Sequence, residues 1–458
     1  MTAPPGDRRR VAVIGAGWAG CTAALELARR GLAVTVYEQA RMPGGRARRV
    51  LLDGVPVDNG QHLLLGAYSE CLRVIDRVHG ADAGAPALLR LPLALQPWGR
   101  QPGAVRLTAW RAPAPWHLAG ALLGARGLRL GARYALAASL LRLRRDPAAI
   151  PATATVADWF RDLPRAAFDG IVAPLCVAAL NTLPEEASAR VFAKVLDTAL
   201  GGSRADSDFL VPTTDLSSLL PEPALRQVAA QGGELRLGVA AQVTASAADG
   251  VTVEAEGHGE IFSDVVVAVG PHQLAQALGA RPADLPGCRA ALAMTGAFAY
   301  EPIVTVYLGF GAPVAMTAPV MRLDDRPGQW LFDRRGGSPT TWPAGTTTML
   351  AVVISAHGTH QRMEREALAV AVEAQLRRLA PGLPTVTWSR VITERRATYA
   401  CTPGLARPAP GRLAPGIHLA GDYTDAEFPA TLEAAVRSGR AAAMGVLEAR
   451  AAADVRPA

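Results

Sequence analysis

Two kinds of hydrophobic pattern alternate along the chain. Short, mostly apolar runs at 11–14, 33–37, 264–271 and 417–420, rich in β-branched residues, predict strands covered on both faces. Further strand-like runs lie at 234–237, 242–245, 251–255, 303–308 and 349–354. Longer stretches of helix formers predict helices at 21–30, within 118–143 (one or two), within 152–200, and at 217–231 and 363–379. A last helix is expected at 428–439, with Pro429 near its start and Gly439 near its end. Strand, helix, strand comes first, then helices, then a β-rich section. That order predicts an α/β protein with a parallel sheet and an inserted α+β part.

The first unit carries the earliest chemical signal. The strand at 11–14 runs into Gly15-Ala16-Gly17-Trp18-Ala19-Gly20, a helix follows to Gly31, and a second strand ends at Glu38. Gly15 permits a tight turn, Gly17 lets backbone approach a pyrophosphate, and Gly20 lets helix pack on strand. Phosphates would meet the free N–H groups and positive dipole end of the helix start, including Trp18 and Ala19. Glu38 is placed to accept hydrogen bonds from ribose hydroxyls. Strand, helix and terminal acid together predict dinucleotide binding.

Composition narrows the class. A length of 458 residues suggests two or three domains. Half the residues are hydrophobic and 19% charged, which excludes disorder for most of the chain. Cys21, Cys71, Cys176, Cys288 and Cys401 are widely spaced with no C-x-x-C pair, the usage of a reduced, cytoplasmic compartment without structural zinc. Residues 1–10 lack the apolar core of a secretory signal. The net charge of +7 is carried by arginine, with Lys194 as the sole lysine. No nucleic-acid partner is expected. Arg126, Arg129 and Arg133 interrupt every window of membrane-spanning length. The 118–143 stretch therefore reads either as an amphipathic segment lying in a headgroup plane or as an ordinary helical cap with a solvated arginine face. His357 and His360 form a pair of imidazoles with no third ligand nearby in sequence, so no metal site is expected.

A second glycine turn with arginine, Gly44-Gly45-Arg46, and then Asp58-Asn-Gly60-Gln61-His62, follow the βαβ unit. Near the other end stand Ala420-Gly421-Asp422-Tyr-Thr424 and Pro429-Ala-Thr431-Leu432-Glu433. In this order the motifs resemble the amine-oxidase and phytoene-desaturase flavoprotein superfamily. The resemblance implies a Rossmann-like, GR2-type FAD-binding domain, with Arg46 and the backbone from Gly60 through Gln61 and His62 around the pyrophosphate and flavin end. It also implies that Val243 faces the adenine by its backbone, that Asp422 binds the ribityl–phosphate region, and that the N–H groups near Thr431 and Leu432 point at the flavin. The expected domains are 1–90, 205–279 and 391–450 for FAD, 91–204 and 280–390 for substrate, and 451–458 as a tail.

Within the superfamily, amine oxidases place an aromatic wall where this chain has Thr431, and bacterial carotenoid desaturases carry a glycine-rich motif where this chain has Phe428-Pro-Ala-Thr431. The segments 58–68, 174–188, 397–404 and 420–433 are together similar to the hydroxysqualene dehydroxylase family of bacterial hopanoid synthesis. That likeness implies FAD-dependent reduction of the C–OH of hydroxysqualene to C–H, in an enzyme at or near the inner face of the cell membrane. The alternatives are a flavin-dependent desaturase or amine-oxidase-type oxidase of another apolar substrate, and, more remotely, a non-catalytic FAD- or lipid-binding protein. Breaking an allylic C–O bond needs a proton donor, and His62 is the candidate, with Tyr399, Tyr423 and Asp422 behind it. The implied partners are an isoprenoid lipid and an electron source, either NAD(P)H or a reductase.

Overall fold

The computed structural model describes residues 9–454 apart from 81–86, 146–148, 248–249 and 335–341. Among the described residues, the first sheet has six strands. Their order is Glu234–Leu237, Ala33–Glu38, Arg10–Ile14, Asp264–Val267, Ile417–Leu419 and Gly411–Ala414. All neighbours are parallel except the last pair. Val11, Ala12 and Val13 are fully buried, as are Val265, Val266 and Val267 beside them, because helices cover one face and the three-stranded sheet Ala241–Ala247, Gly250–Ala255 and His258–Phe262 the other. Each large aliphatic side chain removed from water this way contributes ~1.5–3 kcal/mol.

The helix Trp18–Arg29 packs on this sheet beside the long final helix Leu432–Asp454, which itself covers the strands Ile417–Leu419 and Gly411–Ala414. The final helix departs from the sequence expectation. It begins at Leu432, where Thr431 Oγ1 accepts the Ala434 N–H at 3.1 Å, and it runs through Gly439. Gly439 marks close contact, not an end: a Cβ there would sit 2.1 Å from the Ala19 carbonyl oxygen. The helix also enters the stretch expected as a tail, whose last four residues lie outside the described ones.

The second large sheet is antiparallel, in the order Val320–Arg322, Trp330–Asp333, Thr348–Ser355, Tyr300–Phe310 and Val386–Tyr399. Thr348–Ser355 is buried along its whole length. Alternation explains how: Leu350, Val352 and Ile354 pack toward the helix Arg365–Leu379, while Met349, Ala351 and Val353 pack with Val55 and Val57 of the hairpin Arg49–Leu52/Val55–Asp58. The 14-residue strand Val386–Tyr399 has no apolar period of its own and was not expected; the 390/391 domain boundary falls inside it. Pairing along Tyr300–Phe310 holds it in place.

The helical part is more broken than its pattern suggests. The 118–143 stretch forms Trp116–Leu123 and Leu130–Arg145. Residues 217–231 divide into Leu216–Leu219 and Pro221–Ala230 where Pro221 interrupts. Leu183–Ser188 is a turn whose Ser188 caps the helix Ala189–Leu200.

Candidate flavin and substrate site

The glycine turns interlock. Gly15 has φ +102°, and a Cβ on Gly20 would lie 1.9 Å from the Gly15 oxygen, so neither position accepts a side chain. Gly44 N–H donates to Ala16 O at 2.8 Å, and Gly17 bridges Gly44, which seats the 41–48 loop on the first turn. Gly45 approaches Gly17 so closely that a Cβ would come within 3.2 Å of its Cα. Trp18 fastens the pair, its indole N–H donating to Ala47 O at 3.0 Å, and Ala19 is buried behind it. Glu38 ends the second strand beside this turn, accepting the Ala16 N–H at 2.7 Å and the Ala40 N–H at 2.8 Å.

Tertiary contacts bring the C-terminal motif to the same place. Arg46 donates to Asp422 Oδ1 at 2.6 Å and to the Ala397 carbonyl at 2.7 Å. Burial opposes the guanidinium charge, but the Asp422 carboxylate more than offsets it, and the Arg46 pKa stays above its ordinary value. Ser438 Oγ accepts the Gly421 N–H at 2.9 Å and pins that turn to the final helix. Glu433 points elsewhere: it accepts the Glu70 and Cys71 N–H groups and caps the helix Ser69–His79.

The 58–62 segment sits where the hairpin meets the antiparallel sheet. Asp58 is 1% exposed, paired with Arg334 at 2.8 Å and accepting the Leu216 N–H. Tyr307 donates its hydroxyl to Asp58 O at 2.6 Å and accepts from Gln61 Nε2 at 2.7 Å. Arg334 also donates to Gln61 Oε1 at 3.3 Å. Sequence reasoning missed Arg334, Tyr307 and Ser438, since nothing local to those residues signals their partners. A cleft beside this cluster is lined by Gln61, His62, Leu89, Val211, Phe332 and Arg334, with apolar walls and a polar end. Burial pushes the His62 imidazole down to about 4, with the Arg46 charge adding to the effect.

Of the expected residues, the structure brings together Gly15, Gly17, Trp18, Ala19, Gly20, Glu38, Gly44, Gly45, Arg46, Gly421 and Asp422. Gln61 and His62 stand with Arg334 at the cleft. Gly60 is buried, yet no atom lies within 4 Å of a Cβ built there. Val243 is fully buried in the strand Ala241–Ala247, at a bulge beside the nucleotide sheet. His357 turns to Glu301 at 3.0 Å and lies 3.7 Å from Glu186. All five cysteines are buried and free.

The donor set suits a dinucleotide carrying a redox ring. Backbone N–H groups and small residues line the turns, a cation is held against an acid, and His62 Nδ1 and Tyr423 Oη are buried polar atoms without a hydrogen-bond partner among the described residues. Fold and site define a flavin-dependent oxidoreductase; residues 18–447 match the flavin containing amine oxidoreductase model, and the chain belongs to that family. Its cofactor is FAD. Within the family, it is 31% identical to hydroxysqualene dehydroxylase of Rhodopseudomonas palustris, over 96% of this chain and 99% of that one. The Sinorhizobium fredii hydroxysqualene dehydroxylase is 29% identical over 95% of this chain and 97% of its own. A hydroxyneurosporene desaturase of Rubrivivax gelatinosus is 41% identical, but over 25% of this chain and 19% of its own. Among solved structures, a putrescine oxidase variant superposes with TM-score 0.71 at 17% identity, covering 96% of this chain and 99% of that one. An oxidoreductase from Methanosarcina mazei gives TM-score 0.69 at 15% identity, covering 96% and 100%.

Proposed function

We propose that this enzyme reduces the allylic C–OH of hydroxysqualene to C–H, giving squalene. The observation that carries this reading is the end-to-end likeness to hydroxysqualene dehydroxylases, set against a desaturase likeness confined to a quarter of the chain. When bound, reduced FAD supplies the hydride, its own electrons coming from NAD(P)H or a partner reductase. The turns around Gly15, Gly17, Gly20, Gly44 and Gly45, with Trp18, Ala19, Glu38, Arg46, Gly421 and Asp422, hold the dinucleotide. Gly60, Gln61, Val243, Thr431 and Leu432 complete its surroundings.

The cleft at Gln61 and His62 is assigned to the substrate. Leu89, Val211 and Phe332 give it apolar walls, which keep water from recapturing a carbocation once the C–O bond breaks. His62 is the group assigned to the leaving oxygen. With its pKa near 4 the imidazole is neutral around pH 7 and offers its N–H as a hydrogen bond; transfer of a full proton becomes easier as pH falls. A C30 isoprenoid alcohol partitions into a bilayer, since each CH₂ exposed to water costs ~0.8 kcal/mol. Residues 104–145 are accordingly assigned to a peripheral contact with the lipid surface. No described helix is long and apolar enough to cross a membrane.

The test is anaerobic mixing of photoreduced enzyme with hydroxysqualene. Flavin reoxidation in step with squalene formation is the expected result. Turnover that instead requires O₂ and releases hydrogen peroxide would replace this reading with an oxidase or desaturase.

A further inference from the structure

The arginine surplus of this protein is not spread over its surface. Residues 101–145 hold eight arginines and no aspartate or glutamate. Without those eight, the 47 basic and 40 acidic residues of the chain become 39 and 40, so the rest of the molecule is close to neutral. The same stretch, about a tenth of the chain, carries six of the thirteen exposed large hydrophobics found among the described residues: Trp110, Trp116, Leu123, Leu130, Tyr134 and Leu141.

These side chains fall into stripes. Trp116 and Leu123, seven apart, share a face of the helix Trp116–Leu123. Leu130, Tyr134 and Leu141 share the outer face of Leu130–Arg145, at 76%, 78% and 52% exposure, opposite the buried Ala132, Leu136 and Leu143. The two helices touch, and Arg133 ties them by donating to the Leu123 and Leu128 carbonyls. Arg106, Arg111, Arg126 and Arg129 are exposed and form no ion pair among the described residues. Arg106 and Arg126 even face each other across an antiparallel bridge, an arrangement of like charges that costs stability in the isolated protein.

We infer that residues 101–145 form a docking surface selective for anionic lipid bilayers. This deepens the lipid-substrate reading by naming the surface chemistry from which the substrate is drawn. A bilayer satisfies both halves of the pattern at once. Leucines enter the acyl region, Trp110, Trp116 and Tyr134 sit at headgroup level, and the arginines meet phosphates. A nucleic acid would neutralise the arginines but leave Leu123, Leu130 and Leu141 in water. Anionic lipid also relieves the Arg106–Arg126 repulsion, which a zwitterionic surface does far less.

The test is flotation of the full-length, FAD-loaded enzyme with substrate-free vesicles of phosphatidylcholine alone or mixed with phosphatidylglycerol, at low and high salt and with RNA as competitor. Expected are preferential binding to the anionic vesicles, weakening at high salt, and no displacement by RNA. A combined Arg106→Gln, Arg126→Gln, Arg129→Gln variant should bind them ~5-fold less for each arginine removed, as expected for a basic residue at an anionic surface. A Trp116→Ser, Leu130→Ser variant should lose binding to either vesicle. Equal binding to both vesicle types, no flotation, or preference for RNA would overturn the inference. Turnover of detergent-dispersed hydroxysqualene, measured on the same variants, should match the parent enzyme. Failure of the parent in that assay would sink the catalytic reading and leave the docking result standing.

Discussion

The nucleotide-binding region and the helical stretch at 101–145 use the same residue types in opposite ways. In the former, arginines are tied to acids: Arg46 to Asp422, Arg49 to Asp215 and Glu222, Arg73 and Arg77 to Glu26. The valines at the centre of its sheet, Val11, Val13, Val265, Val266 and Val267, are buried. In the latter, four exposed arginines lack an acidic partner among the described residues, and Trp116, Leu123, Leu130 and Leu141 of two helices face outward. The first region pairs its charges internally, so its side chains hold the fold and the glycine turns together. The second leaves charge and apolar area unmet, which is the expected cost of a surface that works only against something else.

That contrast can be tested by substitutions of decreasing severity. Gly20→Val should be the most damaging, because its Cβ would collide with the Gly15 oxygen; flavin-free or insoluble protein is expected, read from the visible flavin spectrum. Asp422→Ala should come next. It strands the Arg46 cation, and a loss of ~2–3 kcal/mol is expected by denaturant titration. The figure lies below the ~3–5 kcal/mol of fully buried pairs because the Arg46 side chain is 31% exposed.

His62 gives a pH-dependent effect of similar or smaller size. Its folded pKa, about 4, lies below the unfolded value of ~6.5, so the unfolded chain binds more protons between those limits. The contribution of His62 is therefore complete above pH 6.5 and is lost as pH falls toward 4, on the order of ~2–3 kcal/mol in FAD-free protein. His62→Gln should flatten that part of the stability–pH curve, keep the flavin and lower turnover; an unchanged curve would mean the imidazole is well solvated. Arg106→Gln should be mildest: stability within ~0.5 kcal/mol of the parent, on the favourable side, because it removes a like-charge neighbour of Arg126. A clear loss of stability there would show that the second region is internally satisfied after all.

The glycine turns were legible because their constraint is local. A tight turn and a close helix–strand contact demand small residues at fixed spacing whatever the rest of the chain does. Glu38 was expected to face ribose hydroxyls; in the structure its carboxylate accepts the Ala16 and Ala40 N–H groups. The final helix was recognised but misjudged, since Gly439 serves a contact with Ala19 that a linear pattern cannot reveal. Val386–Tyr399 was unreadable for a related reason: its residues are held by pairing with Tyr300–Phe310, without an apolar period to announce it.

Residue order alone set the βαβ entry, the dinucleotide chemistry and the two later motifs. It also fixed the charge asymmetry, which is a matter of counting. It took packing in three dimensions to bring Arg46 to Asp422, to set Arg334 and Tyr307 against the segment bearing His62, and to divide the apolar residues of 110–143 into a buried face and an exposed one. Those outcomes depend on distances between residues hundreds of positions apart. They are set by how two sheets and their covering helices pack, and no short-range pattern encodes them.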